Sequence, residues 1–238
     1  MSGLRVALVV LPIVIVVMIA AVLAVVYNQV ADPGSEVSAA RTESSVIASE
    51  DENDDKLLIL VSPKKPLPDD YETDLVDFRS IRIDRLAVDD LGSMLSDAQK
   101  DGVSLLLVGG YVSVQEQNEL YEDEVRRLMA REGQSKARAA EDAELTVPMG
   151  GHADEQTGLS VRFSSGRSLD FLSSEEYTWL MNNSYKYGFI LRYPENKQRF
   201  TDRTPDPTLF RYVGRKNALK LRTLNMCLDE YIIYLNYR

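Results

Sequence analysis

Tyr185-Lys186-Tyr187-Gly188-Phe189-Ile190-Leu191-Arg192-Tyr193-Pro194 is the stretch on which the reading of this chain turns. Upstream of it, Ser173 and Glu176 stand three apart as in a capping box, and Trp179, Leu180 and Tyr187 follow on a helix that Gly188 closes. Beyond the glycine, Phe189 to Arg192 reads as a strand. Working outward, Ala87, Leu91, Met94, Leu95 and Ala98 recur at helical spacing up to a stop at Gly102. Val103 to Val108 is a short apolar run ending at Gly109-Gly110 and reads as a buried strand. Ser113 with Glu116 is a second capping box, opening a helix whose apolar side is Leu120, Tyr121, Val125, Leu128 and Met129. Phe210 to Val213 reads as another strand. Mixed periods of this kind, with no internal repeat, predict an α+β fold.

The chain has 238 residues, with 27 Lys+Arg against 37 Asp+Glu and a formal charge of −10. That balance argues against a nucleic-acid partner, since phosphate binding needs a basic face. The single Cys227 and single His152 exclude an intrachain disulfide framework and a Cys/His zinc finger. No serine-histidine-aspartate triad can be built except through His152, and nothing near it resembles a nucleophile elbow.

Val6 to Val26 is an uninterrupted run without a charged residue, the length of roughly 20 that a helix needs to cross the hydrocarbon core. It is longer than the apolar core of a cleaved signal, and Ala20, Ala21 and Ala24 give no clear cleavage site, so residues 1–27 are expected to be an uncleaved transmembrane anchor. Arg5 precedes the span and Asp32 and Glu36 follow it, which places the rest of the chain outside the cytoplasm. Residues 28–56 are acidic, rich in Ser and Ala and poor in large apolar side chains, and are expected to be a disordered linker. Its run Glu50-Asp51-Glu52-Asn53-Asp54-Asp55 lacks the glycine and terminal glutamate of a calcium loop. The globular part is then 57–238.

Within that part a family resemblance emerges. Leu60-Val61 with Pro66-Leu67-Pro68-Asp69-Asp70-Tyr71, Gly110-Tyr111 with Gln117, Gln156-Thr157-Gly158-Leu159, Trp179-Leu180, Tyr185 to Pro194, Phe210-Arg211-Tyr212-Val213-Gly214 and the closing Leu228-Asp229-Glu230-Tyr231 occur in this order. In this the chain resembles the VanY-like D-alanyl-D-alanine carboxypeptidases, zinc metallopeptidases that trim the terminal D-Ala from peptidoglycan stem peptides. The resemblance implies a small antiparallel sheet packed by helices, an arrangement shared with the Hedgehog signalling domain.

It also implies where the chemistry should lie. The family's first two zinc ligands, a His and an Asp, fall at Glu155 and Arg162. Its catalytic Glu and third ligand, a His, fall at Asp206 and Leu209, and the arginine that would hold the substrate carboxylate falls at Val112, in a former substrate pocket with Tyr111 and Gln117. A catalytic zinc needs three protein donors around an open position. Leu209 has none, and Arg162 brings positive charge to where a dication should sit. No metal is therefore expected, the family zinc being lost. Asp206 retains a carboxylate but has no metal-bound water to deprotonate. Arg162, whose planar fork suits carboxylates, is expected to take the metal's place and bridge Glu155, Asp206 or both, unless it swings to solvent.

Of the other candidates, His152 lies three residues before Glu155 on a loop; a weak metal site would need Asp154 and Asp206 to converge on it, and it reads as a loop histidine instead. Cys227 reads as a small buried thiol. Arg211, Arg215, Lys216, Lys220 and Arg222 read as a solvated helix face more readily than as a site for anionic wall polymers. Three functions follow: a membrane-tethered, catalytically inactive carboxypeptidase-like domain binding peptidoglycan stem peptides or an envelope protein; an active metallo-carboxypeptidase with an altered metal site; and a structural interaction protein whose cleft has closed. If the anchor and linker are read correctly, protease added to intact, wall-stripped cells will release the domain by cutting within 28–56, a tether with a flexible reach of roughly 30 Å. Protection of the domain would reverse the orientation.

Overall fold

The structure, a computed structural model, describes residues 54–166 and 170–237. The expected transmembrane span 6–26 and most of the acidic linker lie outside these residues. The folded unit begins at Asp54. A hairpin of β1 (Leu75–Phe78) and β2 (Ile81–Asp84) leads into helix α1 (Arg85–Lys100), then β3 (Leu106–Gly109) and the helical pair α2 (Val114–Glu132) and α3 (Lys136–Thr146). There follow β4 (Ser160–Ser164), α4 (Glu175–Asn183), β5 (Phe189–Tyr193), the single turn α5 (Gln198–Thr201), β6 (Asp206–Tyr212), α6 (Arg215–Leu224) and α7 (Leu228–Asn236). The four-stranded sheet has the order β3-β4-β6-β5 and is antiparallel throughout. The fold class is α+β, as the sequence predicts.

Capping explains most boundaries. Asp84 caps α1 by accepting from the Leu86 N–H, and Ser113 and Glu116 close the expected capping box on α2. The second expected box is displaced by one residue: Ser174, not Ser173, caps α4 and accepts from the Tyr177 N–H, while Ser173 donates to Asp170. Gly188 adopts φ +80°, and a Cβ there would lie 2.6 Å from the Tyr212 ring, so both the turn and the close approach require glycine.

The core lies between one face of the sheet and helices α1 and α4. Val161 and Phe163 of β4 point into it with Phe210 and Phe189, and they meet Leu91, Met94 and Leu95 of α1 and Leu180 of α4. Phe163 and Phe210 pack edge to face at 5.6 Å. Two expectations are corrected here. The apolar run Val103 to Val108 does not form a buried strand: β3 is an edge strand, and Leu106 and Val108 are exposed because alternate residues face away from the core. On α2, Leu120 and Met129 are exposed; the buried residues are Gln117, Val125 and Leu128, of which Val125 and Leu128 pack on Ala139 and Ala143 of α3.

The opposite face of the sheet ends in a closed ionic cluster. Arg192 and Arg211 are wholly buried, and both reach Asp154, also wholly buried, at 2.7 and 3.0 Å. Arg192 also meets Asp229 of α7 at 2.7 Å, and Ser160 donates to Asp154. The Arg211 Nε donates to the Tyr212 carbonyl, and the Nη2 atoms of Arg192 and Arg211 donate to the carbonyls of Val61, Leu57 and Ile59, which fixes the incoming chain. Arg211 therefore does not belong to a solvated basic face. Arg215, Lys216 and Lys220 of α6 are exposed, but Arg211 is a strand residue inside the protein.

Burial works to raise the Asp154 carboxyl, but Arg211 and Arg192 outweigh it and hold the group at about 2. A depressed carboxylate contributes stability that is fully present above its unfolded value near ~4 and is lost as pH falls through the folded value. The Asp154 contribution should thus disappear between pH ~4 and ~2. Asp154→Ala leaves two buried guanidinium groups unpaired and should cost about 3–5 kcal/mol in denaturant unfolding at neutral pH. A loss below 1 kcal/mol would show the cluster to be energetically idle.

Candidate functional site

On β4 the residues that alternate with the core positions are Ser160, Arg162 and Ser164. Arg162 stands opposite Leu209 of β6 and Gly109 of β3. A Cβ at Gly109 would come within 3.2 Å of the Arg162 Cβ, so the glycine leaves room for the arginine stem. The guanidinium then lies between two carboxylates. Nη2 is 2.6 Å from Glu155 Oε1, and Nη1 is 2.5 Å from Asp206 Oδ2 and 2.7 Å from Thr208 Oγ1. Thr208 donates both its N–H and its hydroxyl to the other Asp206 oxygen. The sequence reading left open whether Arg162 would bridge one carboxylate, both or neither. It bridges both.

The cluster is half-open, with side-chain exposures of 35% for Arg162, 15% for Glu155 and 27% for Asp206. Burial tends to raise the Asp206 carboxyl, but Arg162 and Thr208 hold it below the ordinary range. Arg162 is held ionised by Glu155 and Asp206 against the cost of burial. Beside the cluster is a cavity of about 220 Å³, walled also by Leu145, Pro148, Tyr193, Arg203 and Leu209. Arg203 donates from its two terminal nitrogens to the carbonyls of Glu144 and His152, which joins the end of α3 and the loop after it to the cavity wall.

The remaining candidates lie elsewhere or have structural roles. Gln117 is buried and donates to the Pro148 carbonyl at 2.6 Å. Tyr111 carries the Arg82 guanidinium over its ring at 5.1 Å, and neither it nor Val112 lines the cavity. His152 sets Nδ1 3.0 Å from the Ser62 carbonyl, the contact of a loop histidine tied to backbone. Cys227 is buried at the start of α7, and burial pushes its thiol up to about 11. Among the described residues no three His, Cys, Asp or Glu side chains converge as a metal-holding group. The sequence reading missed Thr208 and Arg203. Thr208 lies between two flagged positions, but Arg203 carried no signal, because only the tertiary fold brings α3 over the β5–β6 connection.

An α+β domain with a small antiparallel sheet and an open cavity on its far face is the class that the fold and the site define. Comparison with known proteins narrows the class. Residues 80–215 match the family described as VanY: D-alanyl-D-alanine carboxypeptidase. The chain is 31% identical over 202 residues to a D-alanyl-D-alanine carboxypeptidase of Enterococcus faecalis, covering 84% of this chain and 75% of that one. It is 34% identical over 196 residues to the putative carboxypeptidase YodJ of Bacillus subtilis, covering 76% and 68%. Among solved structures, the vancomycin-resistance protein VanYB in complex with D-alanine-D-alanine superposes with a TM-score of 0.69 at 34% identity, over 74% of this chain and 96% of that one. The LD-carboxypeptidase LdcB does so with a TM-score of 0.65 at 33% identity, over 76% and 87%. This chain belongs to the VanY D-alanyl-D-alanine carboxypeptidase family.

The zinc that the family implies does not suit the residues present here. A guanidinium stands between the two carboxylates, and the side chain opposite it on β6 is Leu209, which has no donor atom. Both terminal nitrogens of Arg162 are already engaged, by Glu155, Asp206 and Thr208. Removing this cation should therefore be costly: Arg162→Ala leaves Glu155 and Asp206 facing each other and should lower unfolding stability by about 2 kcal/mol, less than for a fully buried pair because solvent screens the site. An unchanged denaturation midpoint would show that the bridge carries no weight.

Proposed function

We propose that this chain is a non-hydrolysing member of the VanY family that acts as a binding module for peptidoglycan stem peptides. In this reading it is held at the outer face of the cell membrane by residues 6–26. The observation that carries it is the Arg162 bridge across Glu155 and Asp206. Peptide hydrolysis requires an activated water and a general base whose pKa lies near the working pH. The Asp206 carboxylate is engaged by Arg162 and Thr208 and held below the ordinary range, which makes it a poor proton acceptor at neutral pH. The Thr208 hydroxyl in the cluster is engaged, donating to Asp206 and accepting from Arg162. The cleft nonetheless keeps an open cavity beside the bridge, room for a ligand without the machinery to cut it.

Peptidoglycan as the ligand is supported by the carboxypeptidase relatives and by the neighbour solved with D-alanine-D-alanine. An envelope protein is the other occupant the cleft could take. Purified full-length protein should contain no stoichiometric zinc, keep its melting temperature in chelator, and release no D-Ala from a stem pentapeptide with added zinc. It should sediment with purified sacculi. One tightly held zinc per chain with turnover would restore the enzyme reading, and failure to sediment would favour the protein partner.

A further inference from the structure

A second cavity, of about 490 Å³, shares no wall residue with the one beside Arg162 and lies along the outer edge of β5. β5 ends the sheet order β3-β4-β6-β5, so one side of its backbone has no strand beside it. Phe189, Leu191 and Met181 belong to the core under one face of the sheet, and Ile190, Leu221 and Met226 to the apolar cluster on the other. All six line the cavity. Side chains alternate between the faces of a strand, so residues of both faces can wall one space only beyond the sheet's edge. Register fixes which backbone groups point there. Val213 donates to the Gly188 carbonyl, and Phe189, Ile190 and Leu191 stand opposite Tyr212, Arg211 and Phe210. In an antiparallel ladder of that phase Ile190 exchanges both its bonds with Arg211, and Leu191 turns its N–H and C=O away from β6. Neither group of Leu191 has a hydrogen-bond partner among the described residues.

We propose that this edge takes one extended peptide segment of a partner protein, added as a strand, with a basic residue leading, an apolar middle that exchanges both backbone bonds with Leu191, and an acidic residue about four positions after the basic one. This is independent of how the Arg162 cleft is read. The charge order comes from the two ends of the cavity. Arg222 gives Nη1 to the Met181 carbonyl at 3.1 Å and lies over the Tyr185 ring, and its other N–H groups have no partner among the described residues. Lys186 stands 6.0 Å from the same ring. Tyr185 precedes β5 and Glu195 follows it, so the cations and that carboxylate sit at opposite ends of a strand about 13 Å long. Lys197, the other charged wall residue, is neutralised by Glu230 at 2.5 Å. A carboxylate therefore suits the fork of Arg222, and an ammonium suits Glu195. Every pair in this sheet is antiparallel, which is also the slightly more stable pairing, and an antiparallel peptide brings its leading end to Glu195. A second copy of this chain would match the charges, Arg222 against Glu195 about a two-fold axis. Its β5 edge, however, is recessed between the same walls of α4 and α6, and two recessed edges cannot approach to the ~4.8 Å of paired strands. A single peptide can.

The test titrates three synthetic peptides into the detergent-solubilised full-length chain, isotope-labelled at leucine, with the Leu191 amide resonance as readout. The first is acetyl-Lys-Val-Val-Val-Glu-amide, the second the same peptide N-methylated at its central valine, and the third has Lys and Glu exchanged. The first should shift the Leu191 amide and saturate. N-methylation removes the donor to the Leu191 carbonyl and should weaken binding about tenfold, the value of one hydrogen bond. Exchanging the charges should weaken it by a similar factor, and Arg222→Gln, at an exposed position, should remove that preference while leaving the melting temperature unchanged. Should the variant unfold, the comparison of the three peptides on the unaltered chain still decides. Absence of binding in the millimolar range, equal binding of the N-methylated peptide, or indifference to charge order would overturn the proposal. So would a dimer in sedimentation that the first peptide dissociates, which would make a second copy the occupant of this edge.

Discussion

The closed cluster of Asp154, Arg192, Arg211 and Asp229 is the constraint on which the rest of the domain depends. Two cations and two anions leave water together, so none can be removed without stranding a partner in a medium that cannot solvate it. Its members come from the turn before β4, from β5, from β6 and from α7, and its outer donors hold the carbonyls of 57–61. Strand pairing alone would join β5 to β6. The cluster adds the incoming and closing ends of the chain, 38 and 57 positions from Asp154 to its two arginines being spanned in single contacts.

This closed cluster also positions the half-open one. Asp154 and Glu155 are neighbours on one helical turn, Asp154–Thr157. With Asp154 held by two arginines, the adjacent Glu155 is presented to the cleft. The same relation recurs on β4, where Ser160 donates to Asp154 and Arg162, two residues on along the same face, meets Glu155 and Asp206. On β6, Arg211 serves the closed cluster and Leu209 lines the cavity. Each strand thus sends one residue inward to the scaffold and the next residue on that face outward to the cleft. The geometry of the half-open cluster is inherited from charges outside it.

The sequence made legible what is governed by local rules. The glycine stop at Gly188, the capping box at Ser113 and the apolar stripe of α1 were readable because each depends on residues within a turn or two. Errors arose where sheet position decided the outcome. The run ending at Val108 is apolar enough for a central strand but lies at an edge, and no local feature distinguishes the two. Arg211 reads as part of a basic run because basic residues follow it in sequence, but its apolar flanks Phe210 and Tyr212 are buried, and a charge between them needs an interior partner. The Arg162 bridge was reachable because it follows from charge balance at positions the resemblance had brought together. Arg203 depends on long-range packing and was not.

That division also separates the segments that carry the resemblance from the residues of the cleft. Tyr185 to Pro194 and Phe210 to Gly214, the segments that most strongly suggest the family, contain Arg192 and Arg211. Their role here is to close the ionic scaffold, and that scaffold is satisfied without any contribution from the cleft. Arg162, Leu209 and Asp206 lie on the same strands but outside the closed set. The guanidinium between Glu155 and Asp206 therefore withdraws no partner from Asp154. Because Arg162 is part of the chain, the cation of this site is supplied by folding itself. A site whose cation arrives from solution ties its stability to the supply of that ion and to the deprotonation of its ligands; a site built on Arg162 has neither dependence.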